Sequence, residues 1–468
     1  MTADRSGADP LTRSSAVGGA RVGLAIGLIS ALALLSGLLR GIPKVYDLPD
    51  HLGYAWQVLQ AFERSDFYPR WLASVNDGFG EATLVFYPPV LPWTSAAIGF
   101  LFRGDVLIGL YVTLFLFAVL GGVGAYRFVA RVFGPTAGAL AGLAFAIVPY
   151  RVFEMYGSGL YSAFAAAGIA PWALGALAKV AETPDAPPGE SLRSVCLWAL
   201  TFAGIALTNL PSAVLWTYLV AIWVLAELLA TRRWKVAVRV FAGGVWGCLI
   251  AAVYLVPAVV EMRAVQIPLE EVYRSNFLFQ VSGSWMKPGL KSMFDRMGLY
   301  PAAALIVSLG ILVLARERGA LTGQRARVFV LQTATLGLMA LVLATPISLW
   351  AWRWLPQLSR VDMPWRLLEP LGLITACATA AAVSLLARGS GRLPLRAIAL
   401  VFFGSLAILC LAFDRRLSDA NGHMTPAETR AAIPAFARKE VFFLLKGARR
   451  AAEMAATPPV SCETPCRV

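Results

Sequence analysis

Runs of about 18–25 apolar residues, separated by short gaps that carry arginine, recur along nearly the whole chain. A helix of that length crosses a hydrocarbon core about 30 Å thick, since each residue rises about 1.5 Å. Inside lipid every backbone amide must find its partner within the protein, which leaves helices or closed barrels. A barrel would alternate apolar and polar residues, and these runs are continuous. The composition agrees, with 58% hydrophobic and only 15% charged residues, where a soluble domain carries about 25% charged. The expected fold is all-α, a polytopic transmembrane bundle of about eleven spans.

Those spans are expected at 22–40, 105–126, 136–150, 159–178, 195–209, 212–230, 240–258, 298–315, 328–346, 367–387 and 394–413. Residues 1–21 then form a cytoplasmic N-terminal tail, 22–413 the bundle with a long extracytoplasmic loop at 41–104, and 414–468 an extracytoplasmic C-terminal tail. The net charge of +14 is spread over short gaps between spans, a pattern that orients helices in a bilayer and calls for no nucleic acid. Arg127, Arg131, Arg232, Arg233, Lys235, Arg239, Arg316, Arg318, Arg325, Arg327, Arg388, Arg392 and Arg396 fall on the cytoplasmic side of this scheme. The segment 85–102 is apolar but contains Pro88, Pro89 and Pro92, so it reads as a re-entrant or interfacial helix. The first apolar run reads as an uncleaved span. Glu227, near the inner end of its span, is expected to pair with Arg232 or Arg233. Cys196, Cys248, Cys377 and Cys410 sit in apolar runs as small hydrophobes, while Cys462 and Cys466 lie in the tail.

Several polar residues stand at the outer ends of these spans. Asp47, Asp50 and His51 follow the first span, where they can hold a divalent cation or serve as a base. Asp47 can equally cap the helix that Leu52, Trp56, Leu59 and Phe62 suggest, an amphipathic helix on the membrane surface. Arg70, Gly78 and Gly80 follow in the same loop. The next outer turn brings Arg151 and Glu154, which can face Asp47 or pair with each other. Arg353, Arg360 and Arg366 break the charge bias among tryptophans, and a guanidinium fork suits a phosphate head group; snorkelling in an aromatic belt is the other reading. His51, Arg70, Arg151, Arg353, Arg360 and Arg366 are therefore candidate substrate contacts.

Together the motifs DxxxH (47–51), YPRW (68–71), FYPP (86–89), PYR (149–151), TNLP (208–211), YxxPAxxE (254–261) and PWR (364–366) resemble a family of bacterial membrane proteins. These are labelled 6-pyruvoyl-tetrahydropterin-synthase-related, and their layout is similar to the GT-C glycosyltransferases. The resemblance covers residues 22–413 and implies a polyprenyl-phosphate-linked sugar as donor and a glycan, lipid or protein acceptor outside the bacterial plasma membrane. It implies Asp47 as catalytic carboxylate with Asp50 as alternate, Glu154 as a second acid, and Arg360 or Arg366 on the lipid phosphate. It also implies a divalent ion, Mg or Mn, between Asp47 and Glu154. Gly157, Ser158, Gly159 and Ser162 depart from the family's second loop, and Asn209 replaces a usual histidine. A non-enzymatic lipid transporter, flippase or envelope-assembly scaffold on the same helical plan is the competing function.

Overall fold

The computed structural model describes residues 10–75, 78–183, 185, 187–262, 272–280, 290–388, 393–420 and 422–438. Helix α1 (Pro10–Leu35) leads into the first loop, which contains α2 (Leu48–Glu63), α3 (Thr83–Phe86) and α4 (Val90–Leu101). The bundle continues through α5 (Val106–Phe133), α6 (Pro135–Ala146) and α7 (Pro149–Val152), then a π-helical turn at Phe153–Ser158 and α8 (Tyr161–Glu182). It is completed by α9 (Pro188–Thr208), α10 (Leu210–Thr231), α11 (Trp234–Ile250), α12 (Ala252–Glu261), α13 (Leu290–Glu317), α14 (Gly323–Ala344), α15 (Leu349–Trp354), α16 (Leu368–Arg388) and α17 (Leu393–Ala420). A short helix, α18 (Pro426–Phe436), follows. The chain is an all-α polytopic membrane protein: among the described residues eight helices are long and apolar enough to cross a bilayer, or ten if two bent pairs each count as one span.

The bent pairs explain part of the difference from the expected eleven. The run expected at 136–150 bends by 44° between α6 and the segment that starts at Pro149, where a proline at the first helical position cannot continue the preceding ladder. The run expected at 240–258 bends by 76° between α11 and α12. In α17 the described apolar stretch, Leu400–Ala412, is shorter than a span. The proline-bearing run at 85–102 is broken at Pro88 and Pro89, and its helical part, α4, has 12 residues. At about 18 Å it is too short to cross.

Charged side chains sort to the two ends of the bundle. At one end Arg131 meets Glu182 at 2.7 Å, Lys235 meets Asp185 at 3.0 Å and Arg325 lies 3.9 Å from Glu182. Glu227 is also here, but its partner is Arg327 of α14, at 2.7 and 3.0 Å through both guanidinium nitrogens. Arg232 and Arg233 do not reach it: Arg232 adopts a left-handed conformation that turns the chain away, and both are exposed.

At the other end the first loop folds onto the bundle. Helix α2 lies under more than a membrane surface, because α4, α5 and α18 all pack against it. Leu52, Ala55 and Val58 are fully buried. Gly53 permits the close approach of α18, since a Cβ there would sit 3.1 Å from the Phe436 carbonyl oxygen. Gln57 donates to the Ala437 carbonyl at 3.0 Å, Arg430 pairs with Asp105 at 2.7 Å, and β1 (Ile42–Pro43) pairs antiparallel with β2 (His423–Met424). Cys462 and Cys466 lie outside the described residues.

Because Glu227 is 1% exposed, Arg327→Leu strands a buried carboxylate and is expected to cost about 3–5 kcal/mol. The double variant Glu227→Gln with Arg327→Gln should recover most of that loss. Denaturant titration of the detergent-solubilised protein checks both.

Candidate functional site

The site begins with how the first loop is tied down. Asp47 occupies the N-cap of α2, yet its side chain makes no capping hydrogen bond. Its backbone N–H donates to the Ser158 carbonyl at 3.0 Å, and its own carbonyl accepts from the His51 N–H at 3.1 Å. The His51 ring reaches the same turn, with Nε2 2.9 Å from the Gly159 carbonyl oxygen. Its other nitrogen, Nδ1, lies 3.1 Å from the Tyr87 hydroxyl, which lies 2.7 Å from Ser162 Oγ. Both nitrogens of His51 are therefore engaged inside the protein, and the side chain is 6% exposed. Gly159 has φ +82°, and a Cβ there would press within 2.6 Å of Val45, so this turn needs glycine twice over.

Around this tie the carboxylates gather. Asp47, Asp50 and Glu81 all lie within electrostatic range of Tyr54, whose phenol is pushed up by burial first and by these charges second. Asp47 is also within range of Tyr87 and of Arg366. Arg366 is half-buried and ion-paired to Asp362 at 3.2 Å. It extends the site toward the second turn, being within range of Glu154 and Tyr150.

Glu154 is fully buried on the π-helical turn, a feature that recurs at functional positions. Among the described residues neither of its oxygens has a hydrogen-bond partner, and the same holds for the Tyr150 hydroxyl and the Trp365 indole N–H. No ion pair joins Glu154 to Arg151 among the described residues; Arg151 instead lies between the rings of Phe145 and Phe164, 4.4 and 4.2 Å from their centroids. It donates to the Phe164 carbonyl at 3.3 Å. Glu369, at the start of α16, is within range of Glu154 and accepts hydrogen bonds from Ser212 at 3.1 Å and Trp216 at 3.5 Å. Asn209 caps α10 by accepting from the Ser212 N–H at 2.9 Å.

The remaining candidates separate from this centre. Arg70 is exposed, stacks on Tyr68 at 5.2 Å and donates to the Val253 carbonyl at 3.4 Å, at the bend between α11 and α12. Arg353 is exposed over Trp354, and Arg360 is exposed nearby. The structure thus brings Asp47, Asp50, His51, Arg366, Glu154 and Arg151 to one end of the bundle, with Arg366 as the link between the acids of the two loops. Glu369, Tyr87 and Ser162 were not singled out by sequence reasoning. Glu369 had a readable signal, a carboxylate inside an apolar run directly after Pro364, Trp365 and Arg366.

A metal ion would need a set of donors at about 2.0–2.6 Å. Among the described residues no group of three or more His, Cys, Asp or Glu side chains could hold one. Glu154 has cations, Arg151 and Arg366, in its surroundings. Asp47 and Glu154 belong to no such group among the described residues.

Burial holds the His51 imidazole down to about 4 from its usual 6.5, against the opposing pull of the Gly159 carbonyl. A base with a lowered folded pKa binds fewer protons when folded. Its contribution, on the order of 3 kcal/mol for that difference, is complete above pH 6.5 and is lost as pH falls toward 4. Thermal midpoints of the purified protein should therefore drop across that window, and His51→Gln should flatten that part of the curve.

No protein-family model matches the chain, and no curated protein matches it either. Solved structures do. ArnT from Cupriavidus metallidurans bound to undecaprenyl phosphate aligns over 91% of this chain and 74% of its own, at 17% identity and a TM-score of 0.50. The Archaeoglobus fulgidus oligosaccharyltransferase, in complex with Zn and sulfate, aligns over 86% of this chain at 14% identity and a TM-score of 0.54. The arabinofuranosyltransferase AftD from Mycobacteria aligns over 86% at 20% identity and a TM-score of 0.52. The chain spans 54% of the oligosaccharyltransferase and 26% of AftD. At these identities the likeness is one of fold alone.

Proposed function

We propose that this chain is a membrane glycosyltransferase of GT-C type that moves a sugar from a polyprenyl-phosphate donor to an extracytoplasmic acceptor. The observation that carries the reading is the place of Arg366, a half-buried cation within electrostatic range of Asp47 on one side and Glu154 on the other. A guanidinium there suits a phosphate whose charge grows as the sugar leaves. The fold supports the donor class, since one of its structural neighbours is bound to undecaprenyl phosphate. In this reading the end of the bundle that carries Asp47 and α18 faces outward, the basic end faces the cytoplasm of a bacterial plasma membrane, and the N-terminus lies inside. The motif set quoted above is our basis for placing the chain among the 6-pyruvoyl-tetrahydropterin-synthase-related membrane proteins.

The transfer needs few parts. The Asp47 carboxylate takes the proton of the acceptor hydroxyl as its oxygen forms a bond to the anomeric carbon. The bond from that carbon to the phosphate oxygen breaks, and its electron pair stays on the phosphate, where Arg366 stabilises it. Asp50, on the first turn of α2, is the alternate base. Glu154, Glu369 and Arg151 lie buried within electrostatic range of one another beside Arg366. No step is assigned to a metal ion.

Asp47→Asn should lower transfer by about 100-fold or more, the usual scale of general-base loss, while leaving the thermal midpoint unchanged. A lipid-linked sugar profile of cells that carry only this variant checks it: donor should accumulate. A wild-type profile would instead favour the lipid-transport reading, which asks nothing of a carboxylate at this position.

A further inference from the structure

The hydrogen-bond chain beside Asp47 has a direction that follows from its atoms. A carbonyl oxygen only accepts, so His51 must place its proton on Nε2, the nitrogen 2.9 Å from Gly159. In the neutral ring Nδ1 is then an acceptor, and the Tyr87 hydroxyl donates to it. With that proton committed, the Tyr87 oxygen accepts from Ser162. Four segments of the chain are joined by this one path: α2, the turn after the π-helix, the break between α3 and α4, and the first turn of α8.

The path ends where Asp47 is held. Asp47 does not fix itself by capping its own helix; its backbone is gripped at the Ser158 carbonyl and by the His51 N–H. The adjacent carbonyl, that of Gly159, takes the His51 ring. Two successive carbonyls of one turn therefore receive two groups four residues apart on α2, which fixes the helix end in both position and rotation.

We propose that His51 is a positioning residue for Asp47, locked by Tyr87 and Ser162 against the Gly159 carbonyl, and that it touches no substrate. The proposal rests on the reading of Asp47 as the transfer base. Loss of the lock lets the carboxylate drift from the acceptor, and displacements of about 1 Å at such groups cost up to about 100-fold in rate.

The test uses the full-length protein. Tyr87→Phe should lower kcat by roughly tenfold to 100-fold and leave KM for the polyprenyl-phosphate sugar unchanged. Ser162→Ala, which keeps the Tyr87–His51 bond, should fall between it and wild type. His51→Gln, whose amide N–H still reaches the Gly159 carbonyl, should retain more activity than His51→Leu. A readout free of activity accompanies these: the chain has only two histidines, so 15N spectra of histidine-labelled protein resolve them. His51 should appear as the neutral Nε2–H tautomer at neutral pH, with its Nδ1 signal alone moving in Tyr87→Phe. A charged ring, the other tautomer, an unchanged kcat or a raised KM would each overturn the proposal. Absence of transferase activity in wild-type protein with the expected spectrum would instead remove the functional reading and leave the lock standing.

Discussion

Two neighbouring carbonyl groups, those of Ser158 and Gly159, hold the first loop against the bundle. The helix before them ends in a π-turn and Gly159 swings into a left-handed conformation, so both oxygens point away from an α-helical ladder, although the Gly159 carbonyl also accepts from the Tyr161 N–H at 2.7 Å. In an uninterrupted α-helix both oxygens would be consumed by the ladder four residues on. The irregular turn is therefore what creates the attachment point, and α2 supplies the donors through Asp47 N–H and His51 Nε2. From this contact follow the burial of α2, the approach of Asp47 to Arg366 and the meeting of the two loops.

The same economy of backbone groups explains the other ties of the loop. The 76° bend between α11 and α12 leaves backbone acceptors without an unbroken ladder, and Arg70 reaches the Val253 carbonyl. Tyr254, one residue further, donates to the Phe86 carbonyl at 2.7 Å, at the end of α3. The bend between α11 and α12 is thus tied to the first loop at two successive residues. The buried Glu369 follows the same logic, its carboxylate accepting from Ser212 and Trp216, whereas Glu154 has no hydrogen-bond partner among the described residues.

Much of the architecture was legible in the sequence, because span length and the arginine gaps are strong signals. Pro88 and Pro89 argue against a crossing helix at 85–102, and the helical part of that run has only 12 residues. What escaped was whatever depends on a neighbour distant in sequence. Arg232 and Arg233 are near Glu227 along the chain, but the helix packing brings Arg327 instead. The hydrophobic stripe of α2 reads the same whether lipid or another helix covers it, and nothing in that stripe announces α18. Asp47 fits the residue preferences of a cap, while its actual side-chain geometry is decided by the loop's attachment. Tyr87 stands in the quoted FYPP motif, yet its hydroxyl acquires meaning only when Ser162 and His51 flank it.

The clasp between α2 and the segment after α17 has a consequence for how the protein is made. The surfaces on α2 that receive Phe436 and Ala437, and the β1 strand that receives β2, belong to a loop made early, whereas their cover is translated more than 350 residues later. At about 5–20 residues per second, the loop waits on the order of tens of seconds with Gly53 and its neighbours uncovered. Maturation of this end of the bundle is therefore a closing event in biogenesis, and a nascent chain stalled before residue 426 would carry its early helices beneath an unfinished roof.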